Sequence, residues 1–219
     1  MKILYDDKHI SVCIKDPMLL SEKSSSGNDI LSKLDAYYKE SGQSAKAYPL
    51  HRLDFGVGGV MVFAKSPQSA AKISAEIQQG RLEKHYLAIV SGAPEENEGV
   101  YNDLLFKDSK KNKVFVVDRK RAGVREAKLE YKVVDTKDID KTKLSLVKIR
   151  LYTGRSHQIR VQFASRHTPL YGDRKYGAKQ GNNIALWSHK LKFTHPATKE
   201  ELEFESFPKT GIWDMFLDK

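Results

Sequence analysis

The run Val60-Met61-Val62-Phe63-Ala64 contains no polar residue and is closed on both sides by turn formers, Gly56-Val57-Gly58-Gly59 before it and Ser66-Pro67 after it. An apolar block this short, bounded by breakers, reads as a strand buried on both faces. A core must therefore be built around it, and His51-Arg52-Leu53-Asp54 stands at the edge of that core. A carboxylate in such a place is costly unless a partner or a reaction uses it. For an isolated Arg-Leu-Asp triplet the plain reading is an Arg52–Asp54 ion pair at a strand end. A distant segment of the same character argues for more: in Gly154-Arg155-Ser156-His157-Gln158-Ile159-Arg160-Val161, polar and cationic groups again run into apolar positions.

The remaining pattern is rich in strands. Residues 3–5 and 9–14 read as a strand pair around Asp6-Asp7-Lys8, and the Ser/Gly-rich stretch 21–28 as an exposed loop. Ile30, Leu31, Leu34 and Tyr37 or Tyr38 have helical spacing, with Asn28 or Asp29 as N-cap and Gly42 as the stop. A second helix is expected from Pro67 to Gln79, with Pro67 at its first position and Gly80 at its end. Residues 84–91 follow as a strand. Between 101 and 132, two basic clusters (107–113 and 119–125) flank Val114-Phe115-Val116-Val117, as in a hairpin with a cationic rim. Residues 129–134 and 144–152 alternate as strands around a charged turn at 136–143. A short helix is expected over 159–166, and a closing strand pair over 186–193 and 200–207. Strands in hairpin order outnumber helices, which predicts an α+β fold with a large, mixed, mostly antiparallel sheet and flanking helices. There is no internal repeat and no long linker, so a single domain over 1–219 is expected.

The charge narrows the class of partner. Thirty-eight Lys and Arg oppose 28 acidic residues, giving a net charge of +10 and a pI near 9.4. That balance favours a polyanion, RNA or DNA ahead of an anionic membrane. Cys13 is the sole cysteine, so no intrachain disulfide can form. No apolar run is long enough to span a bilayer, and the N-terminus lacks the apolar core of a signal peptide. A soluble, cytoplasmic protein is expected. The histidines 51, 157, 167, 189 and 195 lack the spacing of a metal site, which sets aside a metal-dependent hydrolase; no metal is expected.

Four motifs in order resemble those of the RluA-type family of RNA pseudouridine synthases. They are His51-Arg52-Leu53-Asp54 with its small-residue turn, Lys84-His85-Tyr86-Leu87-Ala88, the segment 154–161, and Gly172-Asp173-Arg174-Lys175-Tyr176-Gly177. Ile3-Leu4-Tyr5-Asp6-Asp7 and His195-Pro196-Ala197-Thr198 resemble the family's edges. The resemblance implies a sheet with a central RNA-binding cleft and a stand-alone catalytic domain without the S4 domain many members carry; a monomer is expected. It implies an isomerase that acts on ribosomal or transfer RNA and needs no cofactor.

By the same resemblance Asp54 is the catalytic carboxylate, acting on the ribose or on the base. Arg160 would keep it ionised against desolvation, and Tyr86 would offer the uracil a ring face and a hydroxyl. The target base must first leave its stack. His51 and Arg52 are expected to face the RNA, Arg52 filling the vacated space. Lys84, Arg155 and His157 are expected at the phosphates or in support of them. The chain departs from the family pattern at four places. Val57-Gly58-Gly59 stands for Thr-Ser-Gly, Ile14-Lys15-Asp16-Pro17-Met18 for the N-K-P-x-G region, Gln162 for a His, and Leu186-Trp187-Ser188 for L-H-A. The competing reading is a non-catalytic RNA-binding protein on the same fold.

Overall fold

The computed structural model describes residues 1–139 and 141–217. They form two compact units: residues 1–84 with 187–208, and residues 85–186 with those from 209 onward.

The first unit grows around the apolar run. Strand β4 (Gly58–Ala64) is buried at all seven positions. β1 (Lys2–Asp6) pairs antiparallel with β2 (Ile10–Lys15), and β2 pairs antiparallel with β4, Ile10 opposite Ala64 and Lys15 opposite Gly59. The two-residue β3 (Tyr48–Pro49) joins the far end of β4. β10 (Leu186–Thr194) runs parallel to β4 at Trp187 and Ser188, and β11 (Glu201–Glu205) closes against β10. Ile10, Val12, Val60, Val62, Leu191 and Phe193 form the core with Ile73. Each contributes roughly 1.5–3 kcal/mol by leaving water.

The helices start where side-chain caps allow. α1 (Ile30–Glu40) is capped by Asp29, whose carboxylate accepts from Ser32 N at 2.7 Å, and it buries Ile30, Leu34 and Tyr38 at intervals of four. α2 (Pro67–Gln78) is capped by Ser66, with Pro67 where a missing N–H costs nothing. Of the two candidates Asp29 caps α1, and Gly42, left-handed at φ 69° just after the C-cap Ser41, ends it as expected.

The second unit is built on antiparallel strands in the order β5-β9-β8-β6-β7. Its strands are β5 (Glu83–Ser91), β6 (Glu98–Asp108), β7 (Lys113–Val117), β8 (Val124–Ile139) and β9 (Thr142–Leu151). The hairpin expected over 101–132 is β6 with β7 and β8 on either side. β8 extends to Ile139 and β9 begins at Thr142, so the connection is shorter than the expected 136–143 turn; Asp140 lies outside the described residues. α3 (Gln158–Ala164) lies against β6 and β7, with Tyr101, Tyr131 and Phe163 forming an aromatic cluster beside it. The class is α+β, as expected. Among the described residues no helix is long and apolar enough to cross a membrane.

Candidate active site

Asp54 sits half-buried on the loop that feeds β4, and the main chain is clamped on both sides of it. Before it, the buried Ser21 hydroxyl donates to Leu53 O at 2.7 Å and accepts from Leu53 N at 3.0 Å. After it, Phe55 O accepts from Met18 N at 2.8 Å and from Lys15 Nζ at 3.4 Å. Val57 N closes the turn on Asp54 O at 3.0 Å.

Lys15 is the unexpected member. Its side chain is fully buried, and Nζ also donates to Leu19 O at 2.7 Å and Asp16 O at 3.1 Å. Burial pushes its pKa down to about 8, against the opposing pull of the Asp16 and Asp54 carboxylates. A cation thus sits within electrostatic reach of Asp54 and ties together the two loops that shape its turn.

The flanking residues take different paths. Arg52 is exposed and forms an ion pair with Glu22, a carboxylate the Arg-Leu-Asp triplet does not contain. His51 Nε2 accepts from Val62 N at 3.2 Å, which requires the proton on Nδ1. Burial, with the charge of Lys84 adding to it, pushes this imidazole down to about 3. It is therefore neutral near pH 7 and brings no positive charge to a phosphate. Lys84 is half-buried at the start of β5.

In the second unit, Tyr86 is buried in β5 opposite Ile149 of β9. Arg160 projects from α3 into a bidentate pair with Asp173: Nε to Oδ2 at 2.7 Å and Nη2 to Oδ1 at 2.8 Å. Asp173 is 1 % exposed. The Arg160 guanidinium also lies 5.1 Å from the centroid of the Tyr176 ring. The Tyr176 hydroxyl accepts from Val114 N at 2.9 Å and meets His157 Nδ1 at 2.9 Å. His157 enters α3 in the left-handed region, at φ 50°. This cluster makes sense of Gly172–Gly177: its aspartate orients the arginine, and its tyrosine carries the ring beneath it. Arg155 is exposed, with Nε donating to Glu126 O at 2.9 Å.

The sequence gives Asp173 and Lys15 places in motifs but no role, and it puts Ser21 in an exposed loop, whereas the structure buries Ser21. Asp173 had a signal, since a buried arginine needs a carboxylate. Ser21 had none. His195 and His189 are engaged structurally, His195 between Asp7 and the Thr198 amide and His189 between Ser206 O and Glu205. Among the described residues no group of three metal-ligating side chains converges.

Comparison with known proteins identifies the family. The family model for RNA pseudouridylate synthase matches residues 9–165. YhcT of Bacillus subtilis, an uncharacterized RNA pseudouridine synthase, is 33% identical over 215 residues, spanning 95% of this chain and 69% of that protein. Ribosomal large subunit pseudouridine synthase D of Nitrosomonas europaea is 29% identical, spanning 94% of this chain and 61% of its own. The solved structure of human RNA pseudouridylate synthase domain containing 1 shares the fold, with a TM-score of 0.78 at 19% identity, over 94% of this chain and 83% of that one. With most of its length matched by the family model, the chain belongs to the RNA pseudouridylate synthase family and is an isomerase.

Proposed function

We propose that this protein converts uridines of ribosomal or transfer RNA to pseudouridine, with Asp54 as the reacting carboxylate and the target nucleotide flipped from its stack. In this isomerisation the glycosidic bond from C1′ to N1 breaks and a bond from C1′ to C5 forms. N1 gains a proton and C5 loses one, so the atoms balance without a redox partner or energy donor. The protein must supply a group that attacks or deprotonates the nucleotide, a hold on the detached base, and exclusion of water.

Asp54 fills the first role. Arg160, its head group held by Asp173, and Tyr86, which offers a ring face for a uracil and a hydroxyl for proton transfer, are assigned to the same reaction. Arg52, exposed and planar, takes the place of the flipped base, while Lys84 and Arg155 meet the phosphates. His51 and His157 act as neutral or supporting contacts at the RNA surface.

The observation that carries this reading is the double clamp on the Asp54 turn. A fold that spends a buried serine and a buried lysine on the backbone around one half-buried carboxylate is holding that carboxylate in position. The test is to incubate purified protein with unmodified ribosomal and transfer RNA transcripts and map pseudouridine at single-nucleotide resolution. New pseudouridine at discrete sites is expected. Its absence from both RNA classes would contradict the proposal.

A further inference from the structure

The second of the two basic clusters, 119–125, and not the first, lines a recess of about 510 Å3 in the second unit. That falls within the range of small-ligand sites, roughly 300–1,000 Å3. Its floor is apolar, Leu104 of β6 and Val124 of β8. Its walls carry Lys120, Arg121, Arg125 and Arg155, all exposed, against the single carboxylate of Glu126.

Three contacts organise it. The turn from Arg121 to Val124 is closed by Val124 N donating to Arg121 O at 3.1 Å, and Gly123 supplies the φ of +81° that the turn needs. The Arg121 guanidinium is thereby laid over the Phe106 ring, 4.8 Å from its centroid. Arg155 arrives from the turn before α3 and is pinned through Nε to the Glu126 carbonyl. The Glu126 carboxylate is itself neutralised by Lys120 at 2.5 Å. The recess thus combines net positive charge, an apolar floor and a planar cation supported on an aromatic ring.

Such a combination suits neither a bare anion, which has no use for the apolar floor, nor a duplex, whose bases are closed to stacking. It suits a phosphate joined to an exposed base. Resting on the RNA-modifying activity proposed for the Asp54 site, we propose that this recess seats one unpaired nucleotide of the substrate RNA, away from the target uridine. The phosphate meets Arg125 and Arg155, and the base stacks on the Arg121–Phe106 pair.

The experiment measures binding of a labelled single-stranded RNA of mixed sequence, and of the same RNA annealed to its complement, across a salt series. Arg121→Ala/Arg125→Ala should weaken single-strand binding about tenfold or more and make the log–log salt slope shallower by about 0.7 for each phosphate no longer neutralised. Duplex binding should change much less. Arg121→Lys, which keeps the charge but removes the planar stack, should lower single-strand affinity at an unchanged slope. Unchanged single-strand affinity in the double variant would overturn the inference. So would an equal loss on both RNAs, because it would reduce the recess to backbone electrostatics. Pseudouridine formation at saturating RNA should stay near wild type in both variants. If wild-type protein forms none, the proposed reaction fails, and the binding comparison still decides the recess.

Discussion

Asp54 and Arg160 are held by opposite means. Around Asp54 the fold grips the main chain: Leu53 is bonded at both its amide and its carbonyl, and Phe55 O accepts from two donors. Around Arg160 it grips the head group, through two parallel charge-assisted bonds to a nearly inaccessible carboxylate and a ring beneath the guanidinium. The first arrangement fixes where a side chain starts; the second fixes where a charge sits. A group that must form and break bonds with a substrate suits the first, and a group that serves as a permanent charge suits the second.

The contrast is challenged most severely at Asp173. Asp173→Ala strands a buried guanidinium, and about 3–5 kcal/mol of stability should be lost in urea denaturation. A loss below about 1 kcal/mol would mean that the pair is solvated and that other contacts position Arg160.

Ser21 is the corresponding probe in the first region, with a smaller expected cost. Ser21→Ala leaves Leu53 N and O without their partner, worth about 1–3 kcal/mol. Because the clamp positions Asp54, the single-turnover rate at saturating RNA should also fall about ten- to a hundredfold, with RNA affinity nearly unchanged. A normal rate in a destabilised variant would reduce Ser21 to a structural tie.

The smallest effect comes from Lys15. Its folded pKa of about 8 lies below the ordinary 10.5. Between those values the unfolded chain carries a proton that the folded chain has released, so stability rises with pH across the window. Below about pH 8 both states carry the proton, and the group adds no pH dependence. The denaturation midpoint of wild type should therefore gain on that of Lys15→Met as pH rises from about 8 to about 10. A constant gap would show that Lys15 does not titrate there.

Much of this was legible in the sequence. The apolar run became β4, Asp29 and Ser66 cap the helices their positions announced, and the hairpin with the basic rim lies where its alternation put it. What stayed hidden were contacts between segments far apart in sequence. Ser21 and Lys15 reach the Asp54 loop across 32 and 40 residues, and nothing local in a Ser-rich loop or a β2 terminus marks such bonds.

The departures from the family pattern are the sharpest case. Pro17, Gly58 and Trp187 looked like separate oddities, yet they touch. A Cβ on Gly58 would lie 2.3 Å from the Trp187 ring and 2.9 Å from Pro17 Cδ. Gly59, at φ +123°, has Ser188 O only 2.2 Å from where its Cβ would be. Trp187 fills the space that a hydroxyl-bearing residue at 58 would need, so the small residue and the large one form a single packing solution. One chain without a structure cannot pair them. His51 failed to declare itself for a related reason: its bond to Val62 N depends on a register that only the folded strand defines.

If Asp54 performs the chemistry and its surroundings only hold it, removing its charge must stop the reaction and spare the binding. Single-turnover pseudouridine formation by Asp54→Asn at saturating RNA, with RNA affinity determined in parallel, measures both. Asparagine preserves the shape of the side chain and removes its charge and its nucleophile. No product above background is expected, with an affinity within a few-fold of wild type. Product formed at a rate comparable to wild type would take Asp54 out of the reaction.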